Sequence, residues 1–486
     1  MADNLDMFRK LSEHLILIII SFLPFKEAVR TSVLSKRWRY IWHETRNIEF
    51  DERAFVDVRE SQEMQASQRR GFMDFALQRI QNYQGRDIDK FQLTLSKPEN
   101  FNGDIQRCIS FAIIHNVKGL GLDFSDPTWA EDNLDNHAAL FDLPLNVFGH
   151  IVLESIKLFS CNFRNSDFMN FAALKQVSFG WLELSLSFIK ALLRNCPLLE
   201  SLSLKKCWNL DHLEISGPNL RLKCFVADNC SLISNEIVIE APNLRFFKYS
   251  WTIPHFEFEI HPAHMEEADL SFGMELDYDE SIGYDLYKLR LQLYPIKVLT
   301  ICTFMLQRLM LNSVEAEFLR KLQKQKQKLI PHGDEPLRME YDMNIRHLIL
   351  KTSMHPYEFF GIVFLFNSSP YLENLTLDIG PGRIFYDYSS PVEGENLDRF
   401  WLERSIRYTC VVKSLKIVEV KGFKGTLHEL CLLGRLIIYG KVLQHMYVTV
   451  SKEEDGSGGN ENLYRARANG MLAFPRASST LQISIN

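Results

Sequence analysis

One spacing recurs along most of this 486-residue chain: an aliphatic residue, two others, an apolar residue, one other, and another apolar residue. Apolar residues at alternate positions predict a short strand with one face in a core. A unit this short cannot bury that face alone, so neighbouring units must stack on one another. Four clear units follow at intervals of roughly 21 to 25 residues: Leu153-Ile156-Leu158, Leu174-Val177-Phe179, Leu199-Leu202-Leu204 and Leu222-Phe225-Ala227.

Distant parts of the chain repeat more than the spacing itself. Residues 195–204 align with residues 368–377 when Pro197 and Pro370 are matched, and each segment follows an apolar helical pattern. The shared order of helix, Pro-marked turn and strand predicts one α/β repeat unit, although two unrelated turns remain an alternative. This pattern resembles leucine-rich repeats. Further instances are Ile88-Phe91-Leu93, Val117-Leu120-Leu122, Leu210-Leu213-Ile215, Leu244-Phe247-Tyr249, Ile296-Leu299-Ile301, Leu306-Leu309-Leu311 and Ile345-Leu348-Leu350.

The stretch from Leu11 to Trp42 has a different, helical periodicity. Its apolar spacing predicts three short helices, the first of which ends at Pro24. Such a small bundle has little core, and Ile18, Ile20 and Phe22 leave a second side apolar, so we expect a partner. An ordinary core hairpin is the alternative. The apolar run is too short to span a membrane, and no cleavage site follows it.

Part of this stretch resembles the F-box of plant F-box proteins. The resemblance is carried by Ser21 to Pro24 and by the run from Ala28 to Trp38. It implies binding to the Skp adaptor of a cullin-based ubiquitin ligase. Ser12 stands where the family has Pro, so a preset turn and some apolar contact are lost. The positions that the resemblance assigns to the adaptor are Leu11, Leu15, Ile16, Ile19, Leu23, Val33, Leu34, Trp38 and Trp42.

The C-terminal part of the chain carries two further motifs, Lys421 to Gly425 and Phe474 to Ser479. With the strands and helix between them, they resemble the FBD domain of plant F-box proteins. The expected fold is therefore α/β, with a three-helix F-box, an irregular leucine-rich-repeat solenoid and an FBD domain that continues it. The expected divisions are 5–52 for the F-box, 53–87 for a helical linker, 88–330 for the repeats, 331–344 for a linker loop and 345–486 for the FBD domain.

Composition argues against several classes of function. A net charge of -6 and the absence of a membrane-length apolar run predict neither nucleic acid nor membrane as a partner. Nine cysteines without a CxxC pair favour reduced, buried thiols in a cytoplasmic or nuclear protein. No phosphate-binding loop, hydrolase elbow or zinc-protease motif is found in the sequence, so we expect no cofactor and no enzymatic activity.

Two charged stretches have a functional and a simpler interpretation. The acidic residues between Met265 and Tyr284 include Asp277 and Asp279, which could hold a metal, but no further ligand completes a site. We therefore expect a solvated helix and loop there. Residues 315–329 predict a helix with a basic face that either binds anions or import factors or, more simply, is solvated.

Side chains between the core positions of each repeat strand point outward and form a candidate surface for target proteins. The same positions could equally be the solvated side of a sheet. The set comprises Lys157, Phe159, Gln176, Ser178, Ser203, Lys205, His212, Glu214, Asp228, Phe246, Lys248 and Ser250.

The combined features predict the substrate-recognition subunit of a Skp-cullin-F-box ubiquitin ligase. It would dock through the F-box and present a target protein on the repeats. The alternatives are a plain interaction scaffold outside any ligase and a sensor in which a small molecule completes the surface.

Overall fold

The computed structural model describes most of the chain. The described residues are 11–21, 23, 25–42, 45–129, 141–144, 147, 149–163, 171–217, 219–258, 264–276, 280–308, 338–339, 341–385, 400–403, 408–454 and 458–486. The chain divides into two compact units. Unit 1 comprises Met1–Leu222 and Asn229–Ile233, and unit 2 comprises Lys223–Asp228 and Ser234–Asn486.

Unit 1 contains a helical segment followed by a parallel sheet with helices in its connections. Among its described residues the α-helices are α1 (Glu13–Ser21), α2 (Phe25–Arg30), α3 (Trp38–Ile41), α4 (Gln62–Gln81), α5 (Asn102–Ile114) and α6 (Leu186–Asn195). The strands are β1 (Asn47–Asp51), β2 (Lys90–Thr94), β3 (Gly119–Asp123), β4 (Phe141–Asp142), β5 (Ser155–Phe159), β6 (Cys161–Asn162), β7 (Gln176–Gly180), β8 (Ser201–Lys205) and β9 (Leu213–Ser216). The sheet has the order β1-β2-β3-β5-β7-β8.

Unit 2 has the same parallel arrangement. Its described strands are β10 (Cys224–Asp228), β11 (Glu236–Glu240), β12 (Phe246–Ser250), β13 (His255–Phe258), β14 (Glu267–Ser271), β15 (Val298–Cys302), β16 (His347–Thr352), β17 (Asn374–Ile379), β18 (Ile417–Phe423), β19 (His445–Val450) and β20 (Gln482–Ile485). The described α-helices are α7 (Glu280–Gln292), α8 (Thr303–Arg308), α9 (Phe359–Ser368), α10 (Phe400–Glu403), α11 (Thr409–Lys413), α12 (Leu427–Tyr439) and α13 (Glu461–Gly470). The sheet order is β10-β12-β14-β15-β16-β17-β18-β19-β20, and β11 pairs with β13 in a smaller sheet.

The recurring spacing produces this architecture because its apolar positions fill the core. Leu199, Leu202 and Leu204 are all buried, as are Leu222 and Phe225. A residue with positive φ follows several strands and starts the turn out of the sheet. Such residues are Ser160, Trp181, Lys206 and Asn229, at φ values of 56°, 52°, 54° and 53°.

Two elements differ from the sequence-based expectation. Part of the acidic stretch, Glu267–Ser271, is strand β14 instead of a helix or loop, because Ala268 and Leu270 alternate into the core. Leu306 lies in helix α8, so the Leu306-Leu309-Leu311 spacing does not start a strand there. Asp277, Asp279, the basic stretch 315–329 and most of the predicted linker loop lie outside the described residues.

Candidate protein-docking surface

The N-terminal helical module, residues 11–42, has a very small core. Ile16 and Ile20 of α1, Ala28 of α2 and Trp38 of α3 are buried together. Leu11, Leu23, Ile41 and Trp42 pack against them and are half-buried. Ile16 and Ile20 are one helical turn apart, which places them on one face of α1. The helical spacing predicts that Ile20 lies on an outer apolar side, but Ile20 lies in this core.

The module also exposes large apolar side chains. Leu15, Ile18 and Ile19 are 46%, 39% and 37% exposed on α1, at the spacing of a single helix face. Val33 and Leu34 are 86% and 65% exposed just after α2. Exposed apolar side chains concentrated in so short a segment are typical of a surface that binds another protein.

Ser12 contributes to the start of helix α1. The Leu15 N–H donates to Ser12 Oγ at 3.3 Å, and the Ile16 N–H donates to the Ser12 carbonyl at 3.1 Å. A serine in this position satisfies a backbone donor that a helix start otherwise leaves unpaired. The loss of a preset turn at this position is thus offset by a side-chain cap.

Helix α4 ties the module to the sheet of unit 1. Arg79 Nη2 donates to the Trp42 carbonyl at 3.1 Å, and its guanidinium lies 4.9 Å from the centre of the Trp42 ring. Burial lowers the pKa of Arg79 to about 10, so the side chain stays charged at neutral pH. Earlier on α4, Arg69 Nε donates to Glu52 Oε2 at 2.9 Å, and Arg69 Nη2 donates to Ser96 Oγ at 3.1 Å.

The residues predicted to face an adaptor fall into three groups by exposure. Leu15, Ile19, Val33 and Leu34 are exposed, while Leu11, Leu23 and Trp42 are half-buried. Ile16 and Trp38 are buried in the core of the module, so in this conformation they support the surface from beneath. Sequence reasoning omitted Ile18 and Tyr40 from the set, although Ile18 lies one helical turn from Leu15.

Most of the predicted target-facing residues in unit 1 share neighbouring rows of one sheet. Lys157, Ser178 and Ser203 are register partners across β5, β7 and β8. Gln176 starts β7, while Phe159 and Lys205 end β5 and β8. Lys157 Nζ lies 3.0 Å from Asp123 Oδ2 and 4.4 Å from the centre of the Phe159 ring. This row therefore contains one internally paired charge among small polar side chains.

The corresponding residues of unit 2 lie on β10 and β12. Lys248 Nζ is 2.9 Å from Asp228 Oδ2, and Ser250 Oγ donates to Asp228 Oδ1 at 2.5 Å. Phe246 is half-buried at the start of β12. Ser250 is buried, so its hydroxyl is used within the strand pair and contributes little outer surface.

His212 and Glu214 do not extend the row in unit 1. Glu214 lies on β9, and His212 is the residue before that strand. Strand β9 does not belong to the main sheet of unit 1. Glu214 Oε2 is 2.5 Å from Lys190 Nζ of helix α6, and this neighbour lowers the pKa of the Glu214 carboxyl. The spacing Leu210-Leu213-Ile215 matches that of a repeat strand, but the strand it forms, β9, belongs to a separate small sheet.

Buried thiols and acidic side chains give little sign of a catalytic or metal centre. Burial raises the pKa of Cys108, Cys196 and Cys410 to about 12, which opposes formation of the nucleophilic thiolate. Burial also raises the pKa of Cys161 and Cys207. The described residues contain no group of three or more His, Cys, Asp or Glu side chains suited to a metal ion. No described helix has both the length and the apolar character needed to cross a bilayer.

The sequence of this chain is similar to those of known plant proteins. The chain is 34% identical over 447 residues to F-box protein At3g62230 of Arabidopsis thaliana, covering 92% of this chain and 91% of the relative. It belongs to the plant F-box proteins with leucine-rich repeats. It is also 33% identical over 448 residues to the putative F-box/LRR-repeat protein At1g56400 of the same plant, covering 90% of this chain and 87% of the relative.

Two family matches locate the parts of this F-box protein. Residues 8–49 match the F-box domain, a range that includes the helical module and the start of β1. Residues 114–263 match the family described as FBD-associated F-box protein At5g56370, LRR repeats. The F-box indicates a role as a ubiquitin-ligase adaptor and a partner of the Skp1 type. F-box proteins are generally non-catalytic substrate receptors.

Proposed function

We propose that this F-box protein is the substrate receptor of a Skp-cullin-F-box ubiquitin ligase. The main supporting observation is that the helical module exposes five large apolar side chains, Leu15, Ile18, Ile19, Val33 and Leu34. Burying apolar surface contributes about 25 cal/mol per Å². A Skp-type adaptor that covers these side chains would therefore bind through them and stabilise a module whose own core is small.

In this proposal the receptor acts by bringing a target protein close to the ubiquitin that will be attached to it. The adaptor connects the module to a cullin, and the repeats hold a target protein near a ubiquitin thioester carried by other subunits. Tethering of this kind raises the effective concentration of the reacting groups to about the millimolar range. The chain itself then needs no catalytic residue or cofactor, and neither nucleic acid nor a membrane takes part.

We assign α1, α2 and α3 to a three-helix F-box and residues 345–486 to an FBD domain. Two observations in the C-terminal part support the second assignment. Gly422 and Gly425 both have φ of +70°, which explains two glycines in the Lys421 to Gly425 motif. In the second motif, the Ala477 N–H donates to the Ile437 carbonyl at 3.1 Å, so this segment is fixed to helix α12.

The proposed divisions between these parts remain 53–87 for the helical linker, 88–330 for the repeats and 331–344 for the linker loop. Target proteins would contact the polar rows around Lys157 and Lys248, whose ion pairs can exchange partners on binding. We place the protein in the cytoplasm or nucleus, where reduced cysteines persist.

Adaptor binding tests the proposal directly. The full-length chain is titrated with a purified plant Skp-type adaptor, alongside the double variant Val33→Asp/Leu34→Asp. Placing two carboxylates in an apolar interface should weaken binding by about 100-fold or more. Val58→Asp is the matched control, because Val58 is 69% exposed but lies outside the module. It should bind as the wild type does.

The outcomes separate the proposal from its rival. Loss of binding in the double variant, with hydrogen exchange in the module as slow as in the wild type, supports docking through this surface. A folded wild-type chain without affinity for the adaptor contradicts the ligase role and leaves a scaffold that acts outside a ligase. Equal binding by the double variant contradicts the assigned surface.

A further inference from the structure

Unit 2 contains a cavity of about 410 Å³ at the carboxyl ends of four neighbouring parallel strands. Ser271, Cys302, Lys351 and Asp378 line it from β14, β15, β16 and β17. Cys302, Lys351 and Asp378 are register partners, so they lie side by side in one row. The carboxyl ends of parallel strands are a preferred place for ligands, and cavities of about 300 to 1,000 Å³ suit small molecules.

The wall of the cavity formed by residues 380–385 is held at several points. The Gly380 N–H donates to the Thr352 carbonyl at 3.0 Å, and the Phe385 N–H donates to Gln307 Oε1 at 3.0 Å. Gln307 is buried and its Nε2 donates to the Arg383 carbonyl at 3.0 Å. A Cβ on Gly382 would lie 2.5 Å from Thr303 Oγ1, so a larger residue here would force the Thr303 side chain to move. The wall is therefore formed before any ligand arrives.

The interior of the cavity offers apolar contacts. Phe304 and Phe385 are buried and meet edge to face, with ring centres 5.1 Å apart. Thr303 and Thr352 are also buried within the lining. An apolar ligand body would gain contact with the two rings. The hydroxyls are already used within the protein: Thr352 Oγ1 donates to Glu358 Oε2 at 2.9 Å, and Thr303 Oγ1 donates to the Lys351 carbonyl at 3.3 Å.

The mouth of the cavity presents a positive and a negative side chain. Arg383 and Asp378 are exposed, and among the described residues neither forms an ion pair. Arg383 Nη1 donates to the Glu275 carbonyl at 3.2 Å, and its guanidinium lies 5.0 Å from the centre of the Phe385 ring. Lys351, by contrast, is paired with Asp269 at 2.9 Å. A ligand that enters here therefore meets one available charge of each sign.

We infer that this cavity binds a zwitterionic small molecule with an apolar body, of the class of dipeptides with free termini. The carboxylate of the ligand binds the Arg383 guanidinium, its ammonium binds the Asp378 carboxylate, and its side chain lies against Phe304 and Phe385. Charge-assisted hydrogen bonds of both signs would select against molecules that carry only one of the two groups. The site lies in unit 2 and does not depend on adaptor docking.

The test uses the full-length chain and leucyl-phenylalanine as the probe, measured by calorimetry and ligand-detected NMR. Two matched probes each remove one charge: the N-acetylated dipeptide and the dipeptide amide. Each should bind about ten-fold more weakly than the parent. Asp378→Asn and Arg383→Gln should each weaken binding of the parent by a similar factor. Arg245→Gln, which removes an exposed arginine away from the cavity lining, should change affinity less than about two-fold.

Pairing variants with probes makes the assignment specific. Acetylation should cost little further affinity in Asp378→Asn, and amidation should cost little in Arg383→Gln, because the partner group is already absent. Partial unfolding of a variant would not produce this crossed pattern. The inference is overturned if the parent dipeptide binds more weakly than about 1 mM. It is equally overturned if all three probes bind alike or if the losses in variants and probes simply add.

Discussion

The helical module and the strand repeats distribute apolar side chains in opposite ways. The module buries Ile16, Ile20, Ala28 and Trp38 and leaves Val33 and Leu34 largely exposed. Most strands of unit 2, such as β10, β12 and β14, bury their alternate apolar residues, and their outward positions are mostly polar or paired. Lys248 with Asp228 and Lys351 with Asp269 are examples.

This difference indicates two kinds of stability. A repeat strand is stabilised by the strands on either side, so its apolar face is covered within the chain. The module has too few buried side chains to be equally self-sufficient, and its remaining apolar surface is available to another protein. Removing a core residue should therefore have a local effect in the module and a cooperative effect in the sheet.

The largest expected effect comes from Trp38→Ala. Loss of a buried aromatic side chain costs about 3 to 5 kcal/mol, which should exceed the stability of so small a module. Hydrogen exchange should then become fast in residues 13–41, while the main melting transition stays in place. Leu348→Ala in β16 should instead lower the main melting temperature of unit 2. An equal shift of the main transition in both variants would contradict the idea that the module unfolds locally and the sheet cooperatively.

The next effect concerns the buried ion pair of Arg69 and Glu52, whose side chains are 7% and 5% exposed. Arg69→Met leaves the Glu52 carboxylate buried without its cation, and we expect a loss of about 3 to 5 kcal/mol of unfolding free energy. The double variant Arg69→Met/Glu52→Gln should recover part of it, because no charge is then buried. Denaturant titration measures both variants. A double variant that is less stable than Arg69→Met would count against this explanation.

A smaller effect is expected for an exposed ion pair of the repeats. Lys297 Nζ lies 3.2 Å from Glu266 Oε1, and both side chains are about half exposed. Lys297→Met should change the unfolding free energy by less than about 1 kcal/mol, and high salt should remove the difference. Thermal melts at low and high salt provide the measurement. A large loss of unfolding free energy that persists in high salt would mean that this ion pair helps to set the register of β14 and β15.

The smallest effect is a pH dependence that originates in His347. Burial lowers the pKa of His347 below its ordinary value of 6.5, so the unfolded chain binds a proton more readily than the folded one. The associated stability is present above about 6.5 and is lost as the pH falls through the lowered folded pKa. Melting temperatures of wild type and His347→Gln should therefore converge as the pH falls from about 7.5 to 5.5. A constant gap between them would exclude this histidine as the source.

The sequence predicted the repeat strands well because their signal is local. In Leu174-Val177-Phe179, as in the neighbouring repeats, each apolar position is buried. The alternating pattern did not predict strand β14, because the charged residues Glu267 and Asp269 flank its buried residues Ala268 and Leu270 and make the segment look solvent-exposed. It also failed at Leu306, whose spacing suits a helix as well as a strand.

Features built from distant residues were beyond the sequence. Ser271, Lys351 and Arg383 line one cavity although the first and last of them are more than a hundred positions apart in the chain. No spacing in the sequence predicts that these residues line the same cavity. In the module, the helical pattern identified the apolar residues but did not decide which face was buried, because Ile16, Ile19 and Ile20 are chemically alike. The packing of α2 and α3, through Ala28 and Trp38, distinguishes them.

The strand order of unit 2 bears on how the polypeptide is made. From β14 to β20 each strand pairs with the next one along the chain, in parallel register. Each newly synthesised repeat can therefore pair with the repeat made just before it. The sheet can grow during translation without contacts between residues far apart in the chain. A stalled or truncated chain would accordingly present a folded stack with one unfinished edge, open to further strand pairing.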